Sequence, residues 1–220
     1  MRKIYALGIA LAICILWMFR TPPATLLLVG LDDTFEQVKQ ASSFPVAASS
    51  DDPSEDELGF GATWVKEPAV IIRFNDPQFG FTLPPTTFAA IGYMHHRVDT
   101  ITTSPMLKKV TFEQGMAEVA RLQGIFREQG WQLENGTTWF DLSPGCRAAL
   151  HSTIRLGSYG YGKWVSLRAA GKYSMIFRMR CASGCDSDIG FDRYLIDISI
   201  GHDSSMSNQP VASSKEGGKR

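Results

Sequence analysis

A mixed α+β domain behind an N-terminal apolar anchor is the fold class this sequence predicts. Three observations point to it: an uninterrupted apolar run from Ile4 to Phe19 between basic flanks, a long amphipathic helix pattern from Thr111 to Gln129, and period-two alternation in the second half of the chain. A main helix packed on an antiparallel sheet follows from the second and third.

The apolar run is sixteen residues long. As a helix it covers about 24 Å, slightly short of the ~30 Å hydrocarbon core, a gap that local thinning and snorkelling by Arg20 close. Tyr5 and Trp17 stand near its ends, where amphipathic rings favour the headgroups, and Arg2 and Lys3 favour a cytoplasmic start. Residues 1–20 are therefore read as a signal anchor of a single-pass bacterial inner-membrane protein, with the rest periplasmic. A cleaved signal peptide is the competing reading, but the run ends in Leu16-Trp17-Met18-Phe19-Arg20, without small residues for a peptidase. Cys14 reads as a small apolar residue of the run.

Pro22 and Pro23 end any helix begun before them. Leu26 to Val29 is a short strand or a membrane-surface segment, and Asp33 to Gln40 a brief helix. Ser42 to Asp56 is rich in Ser, Ala, Pro and acids, so residues 21–58 are expected to be an acidic flexible tether, with the folded domain at 59–203 and a disordered tail at 204–220.

Within the domain, Ala69 to Phe74 is a strand ended by Asn75-Asp76-Pro77. The main helix starts on a Thr111/Gln114 capping box, carries Phe112, Met116, Val119, Leu122 and Phe126 at helical spacing, and stops at Gly130. Thr34-Phe35-Glu36-Gln37 repeats Thr111-Phe112-Glu113-Gln114, which shared helix-start chemistry explains. Asn135-Gly136 predicts a hairpin pairing Leu133 with Thr138 and Trp131 with Phe140. A second hairpin around Ala170-Gly171-Lys172 sets Ala169 against Tyr173, Leu167 against Met175 and Val165 against Phe177. Its other face then carries Ser166, Arg168, Ser174, Arg178 and Arg180, with Trp164 opposite Arg178 as a cation–π contact. The last strand, Tyr194 to Ile200, turns Ile196, Ile198 and Ile200 inward and Asp197 outward, where Asp197 neutralises an arginine.

Charge is balanced overall and segregated locally. Nine acids and two bases fall between Leu31 and Glu67, whereas seven bases and no acid fall between Leu142 and Cys185. The basic stretch points either to an anionic partner or to neutralisation by the acidic segment of the same chain. Three cysteines lie beyond the anchor, so one internal disulfide is expected; the local Cys181–Cys185 bridge is favoured, with Cys146 as the competing partner. Cys181-x3-Cys185 lacks the second pair of a zinc framework, and His95-His96 would point to opposite faces of a strand, so no metal is expected. Gly157 to Lys163 has phosphate-loop spacing but is followed by Trp164 in place of Ser or Thr, and no cofactor is expected. Asp186 to Asp192 lacks the closing glutamate of a calcium loop.

In plan, the chain resembles bitopic bacterial envelope proteins, among them the small membrane-anchored immunity proteins that neutralise antibacterial toxins. The resemblance covers the anchor, the acidic tether and the small mixed domain, and no residue motif, so no functional residue is carried over from it. The expectation is a non-enzymatic protein-binding domain, in immunity to a toxin or as an accessory subunit of an envelope or secretion complex, without nucleic-acid binding. The candidate partner-binding residues are Tyr159, Tyr161, Lys163, Trp164, Arg168, Arg178 and Arg180, since aromatics and arginines dominate interface energetics. An envelope hydrolase acting on lipid or cell wall, with His151 or His202 as base, is the alternative.

Overall fold

The computed structural model describes residues 23–134, 136–156, 162–169, 171–186 and 191–203. The apolar run at 4–19 and the tail at 204–220 lie outside these residues. Among the described residues, no helix is long and apolar enough to cross a membrane.

The expected tether is largely built into the fold. Strand β1 (Thr25–Val29) pairs in parallel with β4 (Val70–Phe74), from Thr25 against Val70 to Val29 against Phe74. Helix α1 (Phe35–Ala41) follows, and β2 (Ser50–Asp51) then pairs with β3 (Gly61–Val65). Apolar residues are sparse here, but Leu27, Val29, Leu31, Phe35, Val38, Phe44 and Val46 are all buried. The serines that made the segment look flexible close the open edge of β1: Ser43 Oγ accepts from the Leu26 amide at 2.8 Å and Ser42 Oγ from the Leu28 amide at 3.0 Å. Polar composition here is hydrogen-bonding capacity that regular pairing leaves unfilled.

The repeated tetrapeptide is a repeated cap. Thr34 begins α1, and Thr111 begins α2 (Phe112–Glu128); each accepts from the amide three residues on, while Gln37 or Gln114 accepts from the cap amide in return. Met116, Val119, Leu122 and Phe126 form the buried stripe of α2, as their spacing predicts.

Strand β5 (Phe81–Thr82) completes a three-stranded sheet in the order β1-β4-β5. The larger sheet takes β6 (Ala89–Met94), β7 (Arg97–Thr103), β8 (Gln132–Leu133), β9 (Lys163–Ala169), β10 (Tyr173–Ser183) and β11 (Arg193–His202). Its order is β2-β3-β6-β7-β11-β10-β9-β8, and every pairing is antiparallel. The inner face carries Ile91, Ile101, Ile196, Ile198, Ile200, Met175, Phe177, Val165 and Leu167, all buried. Phe126 of α2 sits between the two sheets, with its ring centroid 5.0 Å from Phe81 and 5.3 Å from Phe177. The core is thus filled by α2 and the smaller sheet lying on one face of the larger one.

The second predicted hairpin forms in the expected register, Ala169 against Tyr173 through Val165 against Phe177. The first does not. Gln132 and Leu133 pair instead with Arg168 and Leu167 of β9. Trp131 is buried with Nε1 donating to the Phe79 carbonyl at 3.0 Å, and Phe140 docks on α2, where its amide donates to Gln123 Oε1 at 2.9 Å. Two large rings reach separate slots in the core, and β9 offers an open edge, so tertiary burial overrides the local turn signal. Helix α3 (Arg147–Leu156), which the sequence reading did not anticipate, then crosses with Ile154 buried. His95 and His96 stand at the β6–β7 turn, not within a strand, both at positive φ (51° and 61°) as a two-residue hairpin turn requires.

Asp76 latches the smaller sheet to the larger. It accepts from the Phe79 amide at 2.7 Å, the Gln78 amide at 2.8 Å and the Tyr173 hydroxyl at 2.9 Å, with Lys172 Nζ 3.6 Å away. Burial opposes its ionisation, but these donors together hold its pKa below the ordinary carboxylate value. Burial and the Asp76 carboxylate push Tyr173 up to about 12.

Two outcomes follow from these contacts. A chain beginning at Gly59 loses β1 and α1 and unfolds or aggregates, whereas one beginning at Pro23 keeps a cooperative urea transition by circular dichroism. Because Asp76 has a lower pKa folded than unfolded, its stabilisation is complete above the unfolded value of about 3.9 and is lost as pH falls through the folded value. Urea midpoints of the natural chain and of Asp76→Asn therefore differ at neutral pH and converge under acid.

Candidate partner-binding face

The alternation that buries one face of the large sheet leaves the other uncovered by any helix or strand among the described residues. Cross-strand register lays Trp64, Ala90, Thr102, Ser199, Ile176 and Ser166 in one row across six strands. The neighbouring row is Ala62, Gly92, Thr100, Gly201, Ser174 and Arg168, mostly small residues that keep the face shallow. At Gly92 a side chain does not fit, since a Cβ there would lie 2.6 Å from Thr100 Oγ1. Trp64, Phe88, Trp164 and Ile176 are 46 to 51 % exposed.

Arg178 and Arg180 project from β10 onto this face beside Asp197 of β11. Arg178 Nη2 lies 2.7 Å and Arg180 Nε 2.6 Å from the same oxygen, Asp197 Oδ2. The sequence suggests neutralisation of one arginine; the register places both against one carboxylate, which leaves the trio one positive charge and fixes both guanidinium groups. A cleft of ≈ 410 Å³ lies beside them, lined by Phe88, Thr102, Ile176, Arg178, Arg180 and Asp197. Trp164 is opposite Arg178 as predicted, but that guanidinium is turned to Asp197.

The other predicted site residues separate. Arg168 pairs with Glu134 and lies at the β8 side of the sheet. Lys163 begins β9 next to Trp164 and lines a small hollow with Gly136 and Thr153. Tyr159 and Tyr161 lie outside the described residues. Elsewhere in the basic stretch, Arg147 pairs with Glu113, Arg155 with Asp192 and Lys172 with Asp76. None of these acids belongs to the 31–67 segment. Neutralisation comes from cross-strand neighbours and adjoining elements, which a count along the chain does not show. Trp64, Phe88 and Ile176 were missed; for Trp64 and Ile176 the signal available was an outward position in an otherwise alternating strand, while Phe88 stands just before β6.

Cys181 and Cys185 form the local disulfide, and Cys146 is free and exposed. Of the two candidate bases, His151 Nε2 is 2.7 Å from the Tyr194 hydroxyl, which also reaches Asp192 Oδ2 at 3.2 Å. Burial and Asp192 push Tyr194 up to about 12, so the phenol stays protonated and donates to the carboxylate. His202 Nε2 lies 3.4 Å from Asp32 Oδ1. Among the described residues, no serine, threonine or cysteine side chain is hydrogen-bonded to either imidazole. No group of three metal-ligating side chains occurs among them.

Compared with protein-family models, characterised proteins and solved structures, the chain matches none.

Replacing Asp197 by Asn removes the charge that holds both arginines and leaves them repelling each other. The expected loss is about 1–3 kcal/mol of stability in urea unfolding, from charged hydrogen bonds across β10 and β11. The Arg178→Gln, Asp197→Asn double variant recovers part of it.

Proposed function

We propose that this chain is a single-pass inner-membrane protein whose periplasmic domain binds an acidic protein partner on the open face of its large sheet. Immunity to a toxin and service as an accessory subunit of a secretion complex are two forms of that role. The observation that carries the reading is a broad sheet face left uncovered, with exposed Phe88, Ile176 and Trp164 beside arginines braced by a shared carboxylate and exposed Trp64 four strands away on the same face. Half-exposed aromatics beside immobilised arginines are the side chains that supply most interface energy, and bracing lowers the ordering cost of binding. The residual positive charge of the Arg178–Asp197–Arg180 trio selects an acidic partner.

The test is capture from native membranes by the full chain, read by mass spectrometry, with variants on and off the face. Ile176→Asp and Trp164→Ala together are expected to weaken capture of a stoichiometric partner at least tenfold, whereas Ala120→Lys, exposed on α2 against the opposite face of the sheet, leaves it unchanged. Capture indifferent to the paired substitutions overturns the reading.

A further inference from the structure

The open sheet face adjoins a groove of ≈ 830 Å³ at one end of the domain, lined chiefly by Pro23, Ala24, Pro68, Ala69, Pro85 and Leu107. Proline, alanine and leucine give it an apolar wall, with Glu67 the acid among its lining residues. On its rim Leu107 is 57 % exposed. Lys108 and Lys109 follow Leu107, both exposed, and a second hollow of ≈ 350 Å³ joins Phe88, Leu107, both lysines, Arg180 and Asp197.

The position of this end is fixed by the chain itself. Pro23 and Ala24 line the groove, and β1 begins immediately afterwards, with the Thr25 amide donating to the Ala69 carbonyl at 3.0 Å. No slack remains after Ala24. The apolar run ends at Phe19, so only Arg20 to Ala24 separate it from a strand locked in the core. Fully extended, that connection spans at most about 20 Å.

We propose that this end of the domain lies against the outer surface of the membrane. Leu107 reaches the boundary between headgroups and acyl chains, with the apolar groove wall behind it, and Lys108 and Lys109 lie on anionic lipid phosphates. This rests on the reading of residues 4–19 as an anchor. An exposed leucine beside an apolar groove and two lysines matches the composition of interfacial contacts, where apolar burial and attraction to anionic lipid add. The domain is thereby docked, with its open sheet face held beside the bilayer and not swinging on a leash.

The test uses the full chain in vesicles of phosphatidylethanolamine and phosphatidylglycerol, with a nitroxide at one cysteine at a time. The sites are the natural Cys14, Leu107→Cys on the groove rim, and Glu57→Cys beyond the far end of β3, with Cys146→Ser throughout and Cys14→Ser where it is not the labelled site. The label at 107 is expected to be relaxed by oxygen and to show severalfold lower accessibility to a water-soluble nickel complex than the label at 57. If 107 is as open to the nickel complex as 57 while Cys14 reports bilayer depth, the docking proposal is overturned and the anchor stands. If Cys14 is also open to the nickel complex, the anchor reading falls and the docking proposal with it.

Discussion

The antiparallel ladder of β10 and β11 is the constraint from which the rest of the structure follows. Ten residue pairs run from Tyr173 against His202 to Ser183 against Arg193. Along both strands the side chains alternate without interruption between Met175 and Met179 and between Tyr194 and Ile200. Because the period is two, a slip of one residue would turn Phe177 and Ile198 to solvent and Arg178 and Asp197 into the core. The same register that builds the hydrophobic layer therefore sets two arginines against one carboxylate on the other side. Neither feature can shift without the other, so the geometry of the open face is inherited from the packing of the buried one.

How much of this was legible in the sequence depended on whether the deciding interaction was local. The caps at Thr34 and Thr111 and the hairpin around Gly171 were legible, because a threonine and glutamine three residues apart, or two alternating strands around a tight turn, carry their own partners. The Asn135-Gly136 signal was equally local and yet lost, because Trp131 and Phe140 gain more from separate places in the core than from facing each other. Leu26 to Val29 and Asp33 to Gln40 were legible as a strand and a brief helix, but their place inside the fold was not, for the opposite reason. The few apolar residues between Leu26 and Val46 are each fully used, and the serines there serve an edge of β1 that only the fold creates. The candidate face was legible as a run of bases, but its apolar half was not. Trp64, Phe88 and Ile176 come from three distant parts of the chain and share one face only through strand order.

Charge counting failed in an instructive way. The stretch from Leu142 to Cys185 contains no acid, yet of its seven bases six lie beside carboxylates from elsewhere in the chain. Most of these pairs are surface contacts of small net energy. Their effect is to set side-chain direction more than to add stability. Where one acid serves two arginines, a positive charge remains, and it is held rigidly beside apolar side chains. Where pairing is one to one, as for Arg147 with Glu113, the local surface is neutral.

The shape of the large sheet also decides how a partner can approach. An exposed sheet edge invites strand addition, but this one ends on β2 and β8, each two residues long, and the backbone beyond β8 is covered by Glu134 and Thr137 bonding to the Ser166 carbonyl. The free side of β1 in the smaller sheet is likewise taken up by Ser42, Ser43 and Phe44. With the edges short or occupied, recognition through main-chain pairing has little to work with. What the domain offers is side-chain chemistry on a broad face: small residues in one row, aromatic and aliphatic residues in the next, and a braced cationic pair beside them. If the groove end rests on the membrane, the face stands beside the bilayer, and a partner reaches it from the periplasm without having to displace any element of the fold.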